Sequence, residues 1–288
     1  MKVYSAIKDI VKFRFQQPLA SWGLVPTMGY LHEGHLSLIR RARAENNFVA
    51  VSIFVNPVQF NSPADLANYP RDNERDFRLL EQEGVDLIWV PEPEMVYPSG
   101  YQTYVEVEKL TNRLEGASRP GYFRGVTTVV AKLFNIFQPQ QAYFGQKDYQ
   151  QALVISQMVK DLNYNIDVVI CPTVREPDGL AMSSRNVRLS PLARQQATCL
   201  YWALAEAKSA FEAGQRNAGE LRSKMLSVLN SVKSVQVDYV SIAHPQTLEE
   251  LEIVAEQALI SLAVFIEDIR LIDNIVVSSG FKTPSNIR

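Results

Sequence analysis

Two histidines stand three residues apart in the stretch PTMGYLHEGH, Pro26 to His35, of a chain that has only three. His32 and His35 lie at the start of a segment that reads as a helix, where both imidazoles can project towards one point above the first turn. Gly29 relaxes the preceding turn, and Gly34 removes a Cβ where a ligand has to approach. The helix start adds unpaired N–H groups and a partial positive charge of roughly half a unit. Together these make a cradle suited to a polyphosphate. Two other readings stand beside it: a metal site, for which His-x-x-His lacks a further nearby Cys or His ligand, and a plain pair of capping or surface histidines.

Four more stretches offer chemistry. LAMSSRNVRLS, Leu180 to Ser190, combines Met182, the hydroxyls of Ser183 and Ser184 and the guanidinium of Arg185. A flexible segment of that kind can close over phosphate, and Arg bonds phosphate bidentately; it can equally be an ordinary polar loop. YFGQKDYQQ follows a short apolar run. Gly145 lets backbone approach a ligand, Lys147 offers a point charge, and Gln151 falls in the next helical turn, though Lys147 and Asp148 also read as a surface ion pair. NPVQF puts Gln59, able to donate and accept at once, directly after an apolar run ending at Val55. EGASRPGYFRGV is a Gly- and Arg-rich loop that either orders against an anion or merely opens a helix at about Val126.

Positioning these stretches requires a framework, and the sequence supplies one. Hydrophobic residues are 47% and charged residues 21% of 288, the composition of a globular protein with a substantial core. The net charge of −2 gives no global attraction to nucleic acid or anionic membrane, although a local cationic pocket stays possible. Cys171 and Cys199 are far apart and in no metal-ligand spacing, which suits buried thiols in a reducing compartment. The start MKVYSAIKDIVKFRF lacks the apolar stretch of a signal peptide. The longest near-apolar run, ALISLAVFI, is too short to span a bilayer. A cytoplasmic location is the expectation.

Up to about residue 175 the chain alternates strand-like and helix-like segments. GLVPT, FVAVSIFV, VDLIWV, QAYFG and NIDVVI are apolar runs suited to a parallel sheet covered on both faces. Helical patterns lie between them: from Gly34 to about Asn46, RDNERDFRLLEQEG, GVTTVVAKLFNIFQP and DYQQALVISQMVKDL. This predicts a doubly wound α/β, Rossmann-like domain over 1–175, with ligands beyond the carboxyl ends of the strands. After Pro191 helices precede strands: a long helix PLARQQATCLYWALAEAKSAFEAG, a second from about Ala218 to Leu229, then VQVDYVSIA, ALISLAVFIEDIR and LIDNIVV. A smaller α+β domain, 176–288, is expected, with REPDGLAMSSRNVRLS as its junction.

PTMGYLHEGHLSLI, VSIFVNPVQF, LEGASRPGYFRGV, FGQKDYQQ and DGLAMSSRNVRLS resemble, in order and spacing, the pantoate–β-alanine ligase family of the HxGH nucleotidyltransferases. The likeness runs from about Val25 to Ser190, and MSSR looks like that superfamily's KMSKS-type signature. The resemblance implies ATP-dependent, AMP-forming condensation of (R)-pantoate with β-alanine through a pantoyl adenylate, with Mg²⁺ assisting, in a cytoplasmic homodimer of coenzyme A biosynthesis. It implies no nucleic acid or membrane partner. Carried over position by position, Met28, Gly29, His32, Gly34 and His35 line the ATP site, with His35 as proton donor. Gly145, Gln146, Lys147 and Asp148 hold adenosine and phosphate; Val174, Met182, Ser183, Ser184 and Arg185 close over the nucleotide; Gln59 and Gln151 fix pantoate. His32, His35, Lys147 and Arg185 form the catalytic set, and the metal ligands are not assigned. Gln146 departs from the pattern, where an acidic residue is more usual. The rivals are a nucleotidyltransferase for another small acid or phosphate acceptor, and a non-catalytic nucleotide-binding protein.

Overall fold

The computed structural model describes residues 1–279. Six strands, β1 (Lys2–Tyr4), β2 (Trp22–Thr27), β3 (Phe48–Ile53), β4 (Leu87–Trp89), β5 (Gln141–Gly145) and β6 (Asp167–Cys171), form one sheet in the order β1-β4-β3-β2-β5-β6. Every pairing is parallel. Period-2 alternation sends successive side chains to opposite faces. Trp22, Leu24, Leu87, Trp89, Ala142 and Phe144 pack on one face, beneath the helices Ile7–Phe15, Tyr122–Phe137 and Tyr149–Asp161. Val25, Ile88, Tyr143 and Val169 pack on the other, beneath Glu33–Glu45 and Asn73–Gln82. Burial on both faces is why these strands read as unbroken apolar runs. The parallel, doubly covered sheet expected from the sequence is the observed one.

After β2 the chain builds outward through β3 and β4, and β5 then returns to the opposite side of β2. The order reverses between β2 and β5, and a crevice at the carboxyl ends of strands at such a switch is where open α/β sheets take ligands. The histidine turn leaves β2 there, and the Gln146–Asp148 turn continues the chain from β5.

By contacts the described chain divides into two units. The first holds Met1–Gly145 and Gln150–Pro172; the second holds Gln146–Tyr149 and the chain from Thr173 onward. The second unit packs the helices Cys199–Glu212 and Ala218–Asn230 on an antiparallel sheet of β7 (Val235–Ala243), β8 (Gln257–Ile266) and β9 (Ile269–Ser278). This is the expected α+β arrangement. Residues 280–288 of the expected second domain lie outside the described residues.

Several elements differ from the sequence expectation. The run FVAVSIFV stops being strand at Ile53, because Phe54 to Asn56 lead into a 3-10 turn with Asn56 as its cap. The helix expected to open near Val126 begins a turn earlier, at Tyr122, after Gly121 in the left-handed region. The long helix from Pro191 is two, Pro191–Gln196 and Cys199–Glu212, because the Thr198 hydroxyl donates back to the Gln195 carbonyl at 2.9 Å and tightens the turn. ALISLAVFIEDIR is not one segment: Glu267, with φ 54°, turns β8 back into β9. β1 and the helix Ile7–Phe15 had no counterpart in the sequence pattern.

Candidate functional site

His32 is the N-cap of the helix Glu33–Glu45, and the two histidines cap it reciprocally. The Gly34 N–H donates to His32 Nδ1 at 3.2 Å, and the His32 N–H donates to His35 Nδ1 at 3.3 Å. Their ring centroids lie 4.0 Å apart. Serine and glutamate usually fill this reciprocal box; here His-x-x-His does so with two aromatic nitrogens. The capping reading of the pair is therefore true as geometry. It also has a chemical consequence. Each Nδ1 accepts a backbone N–H, so in the neutral imidazole the proton sits on Nε2. Both rings then carry an Nε2–H donor without any positive charge.

The turn before the cap is held by a residue the sequence reading missed. Asp76, fully buried, accepts the Tyr30 N–H at 2.7 Å and the Leu31 N–H at 2.8 Å, one on each carboxylate oxygen. Burial pushes the Asp76 carboxyl above its usual range, opposed by those two N–H groups and by Arg75. Gly29 takes φ 80°, and a Cβ there would stand 3.1 Å from Asp76 Oδ2 and 3.0 Å from Ile53. A signal existed: Asp76 lies one turn before the buried Leu80, on the apolar side of an otherwise charged helix. The wealth of charge in RDNERDF hid it.

Glu33, in the first helical turn, would oppose an anion at the helix start. Its carboxylate pairs instead with Arg40, which lowers its pKa through that hydrogen bond, and Arg40 also reaches Glu83 at 2.7 Å. These are exposed contacts that reorient a charge and add little stability.

The glutamines are more constrained than the sequence suggests. Gln59 is buried; its Nε2 donates to Met28 Sδ at 2.9 Å and its Oε1 accepts from Asn56 Nδ2 at 3.1 Å. Gln59, expected to donate and accept at once, thus has its oxygen on Asn56 and its nitrogen on Met28. Gln151 Oε1 accepts the Tyr122 hydroxyl at 3.3 Å. The Gly- and Arg-rich loop has a framework task as well: Arg119 donates to the Gln59 carbonyl at 3.0 Å and lies 3.8 Å above the Tyr122 ring. Gly145 ends β5, and a Cβ there would meet nothing within 4 Å, so packing does not require a glycine.

The second unit holds the other candidates. Lys147 Nζ lies 4.0 Å from Asp148 Oδ1, the outer limit of an ion pair. The Gln146 and Lys147 carbonyls both accept Asn274 Nδ2, at 3.0 and 2.8 Å, so this turn is held through its backbone. The Val174 carbonyl accepts the Met182 N–H at 3.0 Å, and Ser183 caps the 3-10 helix Ser184–Arg188 by accepting the Arg185 N–H. Ser184 is buried. Arg175 secures the segment through Asp273, at 2.6 and 3.0 Å, and through the Gly179 carbonyl. Both cysteines are buried, and burial pushes each thiol up to about 11.

The structure thus brings His32 to His35, and Met28 to Gln59, in one unit. It gathers Gln146, Lys147 and Asp148, and Val174 with Met182 to Arg185, in the other. Among the described residues no three His, Cys, Asp or Glu side chains gather as metal ligands, and no helix is long and apolar enough to cross a membrane.

Residues 2–276 match the family model described as pantoate-beta-alanine ligase. The chain is 51% identical to the pantothenate synthetase of Thermotoga petrophila over 96% of its own length and 100% of that protein. It is 54% identical to that of Herpetosiphon aurantiacus, over 96% of its length and 100% of the relative. Among solved structures it is similar to pantothenate synthetase from Thermus thermophilus, with a TM-score of 0.91 and 48% identity over 96% of this chain and 99% of that one. It is also similar to pantoate-beta-alanine ligase from Francisella tularensis, solved with beta-gamma ATP and beta-alanine, with a TM-score of 0.81 and 38% identity over 96% and 97% of the two chains.

Proposed function

We propose a division of roles within a chain that belongs to the pantoate–β-alanine ligase family. The reaction itself follows from that membership: ATP-dependent condensation of pantoate with β-alanine to pantothenate. The family match over residues 2–276 carries this reading.

In the first step a pantoate carboxylate oxygen bonds to the α-phosphorus of ATP and the bond to the β-phosphate oxygen breaks. Negative charge gathers on the departing pyrophosphate. His32 and His35 meet it with their Nε2–H groups. Donors of this kind, oriented before the reaction begins, are each worth on the order of 3 kcal/mol, or about a hundredfold in rate. Because each Nδ1 is already an acceptor, turning either ring into an imidazolium would break a cap. The pair therefore works as neutral donors. The full charges come from Lys147 and Arg185, whose guanidinium can grip two phosphate oxygens. Met28, Gly29, Gly34, Gly145, Gln146, Asp148, Val174, Met182, Ser183 and Ser184 complete the nucleotide contacts. Gln59 and Gln151 hold pantoate with their amide N–H groups.

Magnesium, carried in with ATP, would supply neutralisation of the phosphate charge. Such an ion keeps several waters and asks the protein for only one or two carboxylates, so a dedicated cluster is not needed. In the second step the unprotonated amine of β-alanine attacks the acyl carbon. AMP leaves and the amine gives up a proton. Excluding water from the acyl adenylate matters most here, and Met182 to Arg185 serve that end. The reading extends to a homodimer working in the cytoplasm, and to a first domain over 1–175 that binds nucleotide and pantoate while 176–288 supplies the clamp.

The direct test gives the enzyme ATP, Mg²⁺ and pantoate without β-alanine. The expected result is one pyrophosphate released and one acyl adenylate retained per site. Pyrophosphate release that does not depend on pantoate, or none at all, contradicts the reading.

A further inference from the structure

Asn56 lies behind Gln59, and the orientation of its amide is forced. Its Nδ2 donates to the Gly125 carbonyl at 3.1 Å, a group that can only accept. Its Oδ1 accepts the Val58 N–H at 3.4 Å, a group that can only donate. With the oxygen end fixed there, the Tyr97 hydroxyl, 3.0 Å from the same Oδ1, must be the donor. With the nitrogen end fixed, the Gln59 atom 3.1 Å from Nδ2 must be Oε1. The direction of donation therefore runs one way, from Tyr97 to Asn56 to Gln59. It leaves Gln59 Nε2 on the thioether of Met28, a weak acceptor that a ligand oxygen readily replaces.

The packing around this relay is tight. A Cβ on Gly125 would come within 2.9 Å of the Val58 carbonyl carbon and 3.0 Å of the Gln59 nitrogen, so the helix Tyr122–Phe137 presses directly on the Gln59 backbone. Asn56 is 1% exposed. Tyr97 is half-buried, with its ring centroid 6.3 Å from that of Phe54 and 5.2 Å from that of Tyr101.

We propose that Tyr97 is a positioning residue that braces the orientation of Asn56 set by the Gly125 carbonyl and the Val58 N–H, and through it holds Gln59 Nε2 as a donor, so that the subsite accepts ligands presenting an oxygen acceptor at that point. This rests on the reading of Gln59 as a pantoate contact and names what holds its polarity in place. A hydroxy acid offers carboxylate and hydroxyl oxygens as acceptors. An analogue with an amine or amide N–H at that point faces donor against donor and is rejected.

The test is steady-state kinetics of pyrophosphate release by the full-length enzyme. Tyr97→Phe keeps the ring packing and deletes the donor. Losing one neutral hydrogen bond that fixes an amide is expected to raise KM for pantoate about tenfold, with kcat and KM for ATP within about twofold of the parent. Gln59→Leu raises KM for pantoate at least as much, and adding Tyr97→Phe to Gln59→Leu has no further effect. If Gln59→Leu leaves KM for pantoate unchanged, the pantoate assignment of Gln59 fails and the positioning role falls with it. If Gln59→Leu raises it but Tyr97→Phe does not, or if the two effects add in full, the positioning role is overturned while the assignment stands.

Discussion

The turn bearing His32 and His35 and the segment bearing Ser183 and Arg185 are both short, polar stretches held by hydrogen bonds, yet they are anchored in different ways. In the first, the side chains assigned to chemistry are also the helix caps, with Nδ1 spent on the backbone and Nε2 given the chemical role. In the second, the main anchors are other residues: Arg175 bonded to Asp273 and to the Gly179 carbonyl, and Gly179 itself, where a Cβ would stand 2.3 Å from the Tyr201 ring. With the roles proposed above, fold and chemistry are fused in one region and largely separable in the other. Fusion fixes the donors rigidly at no added cost in side-chain order, but it leaves the sequence little room for substitution.

The sharpest way to break this contrast is at the histidines. His35→Ala should lower the adenylation rate by about a hundredfold or more and remove about 1 kcal/mol of capping. His32→Asn separates the two effects, because asparagine caps well but offers no Nε2–H. Its melting temperature should stay near that of the parent while adenylation, followed by pyrophosphate release, falls as far as in His32→Ala. A His32→Asn enzyme of full activity would show that capping is the whole task of that residue.

The complementary experiment is at Asp273, whose side chain is 1% exposed beside Arg175 at 20%. Removing one partner of such a pair leaves a charge stranded, at a cost of about 3 kcal/mol. Asp273→Ala should therefore lower thermal stability by roughly 10 °C in a calorimetric scan, while the adenylation rate measured well below that transition stays close to the parent's. A loss of rate without a loss of stability would reverse the contrast.

A smaller effect is expected at Asp76. Asp76→Asn keeps the volume but turns an NH₂ group towards one of the two backbone N–H donors, at a cost of about 1–3 kcal/mol. Because the strained residues are those just before His32, the loss should fall on kcat for adenylation, by about tenfold, rather than on KM for pantoate. The smallest effect concerns the thiols. Burial raises both folded pKa values to about 11, above the ordinary thiol value of 9.0. The folded state thus holds those protons more tightly, so this contribution is complete below about pH 9 and is lost as pH rises towards 11. Cys171→Ala combined with Cys199→Ala should flatten that alkaline fall in a denaturation series, and neither native thiol should react with a thiol reagent near neutral pH.

What the sequence disclosed follows the same division. Period and composition announced the parallel sheet, because strands buried on both faces must be apolar throughout, as in FVAVSI and LIW. The histidine spacing announced its turn because the cap and the proposed chemistry fall on the same two residues. The partners that arrive from distant sequence were silent. Asp76 is an acid among many in its helix, and Asn274, 127 residues beyond Lys147, gives no local cue that it will hold that turn. Tyr97 and Asn56 lie 41 positions apart, and only the fold makes the direction of their hydrogen bond, and hence the polarity of Gln59, readable. β1 was missed because three residues carry too little pattern to register.

The most direct measurement is of the imidazoles themselves, by nitrogen-15 NMR of enzyme labelled in its three histidines. His244 serves as an internal reference, since its Nδ1 accepts the Gln246 and Thr247 N–H groups, at 3.2 and 3.3 Å, in a turn with no assigned chemistry. A His244→Asn variant identifies its signals. At neutral pH without ATP, His32 and His35 should both carry the proton on Nε2 with Nδ1 bare, and should keep that state when ATP and Mg²⁺ are added. A proton on Nδ1 of either ring, or a doubly protonated ring in the ATP complex, would contradict the role of the pair as capped, neutral donors.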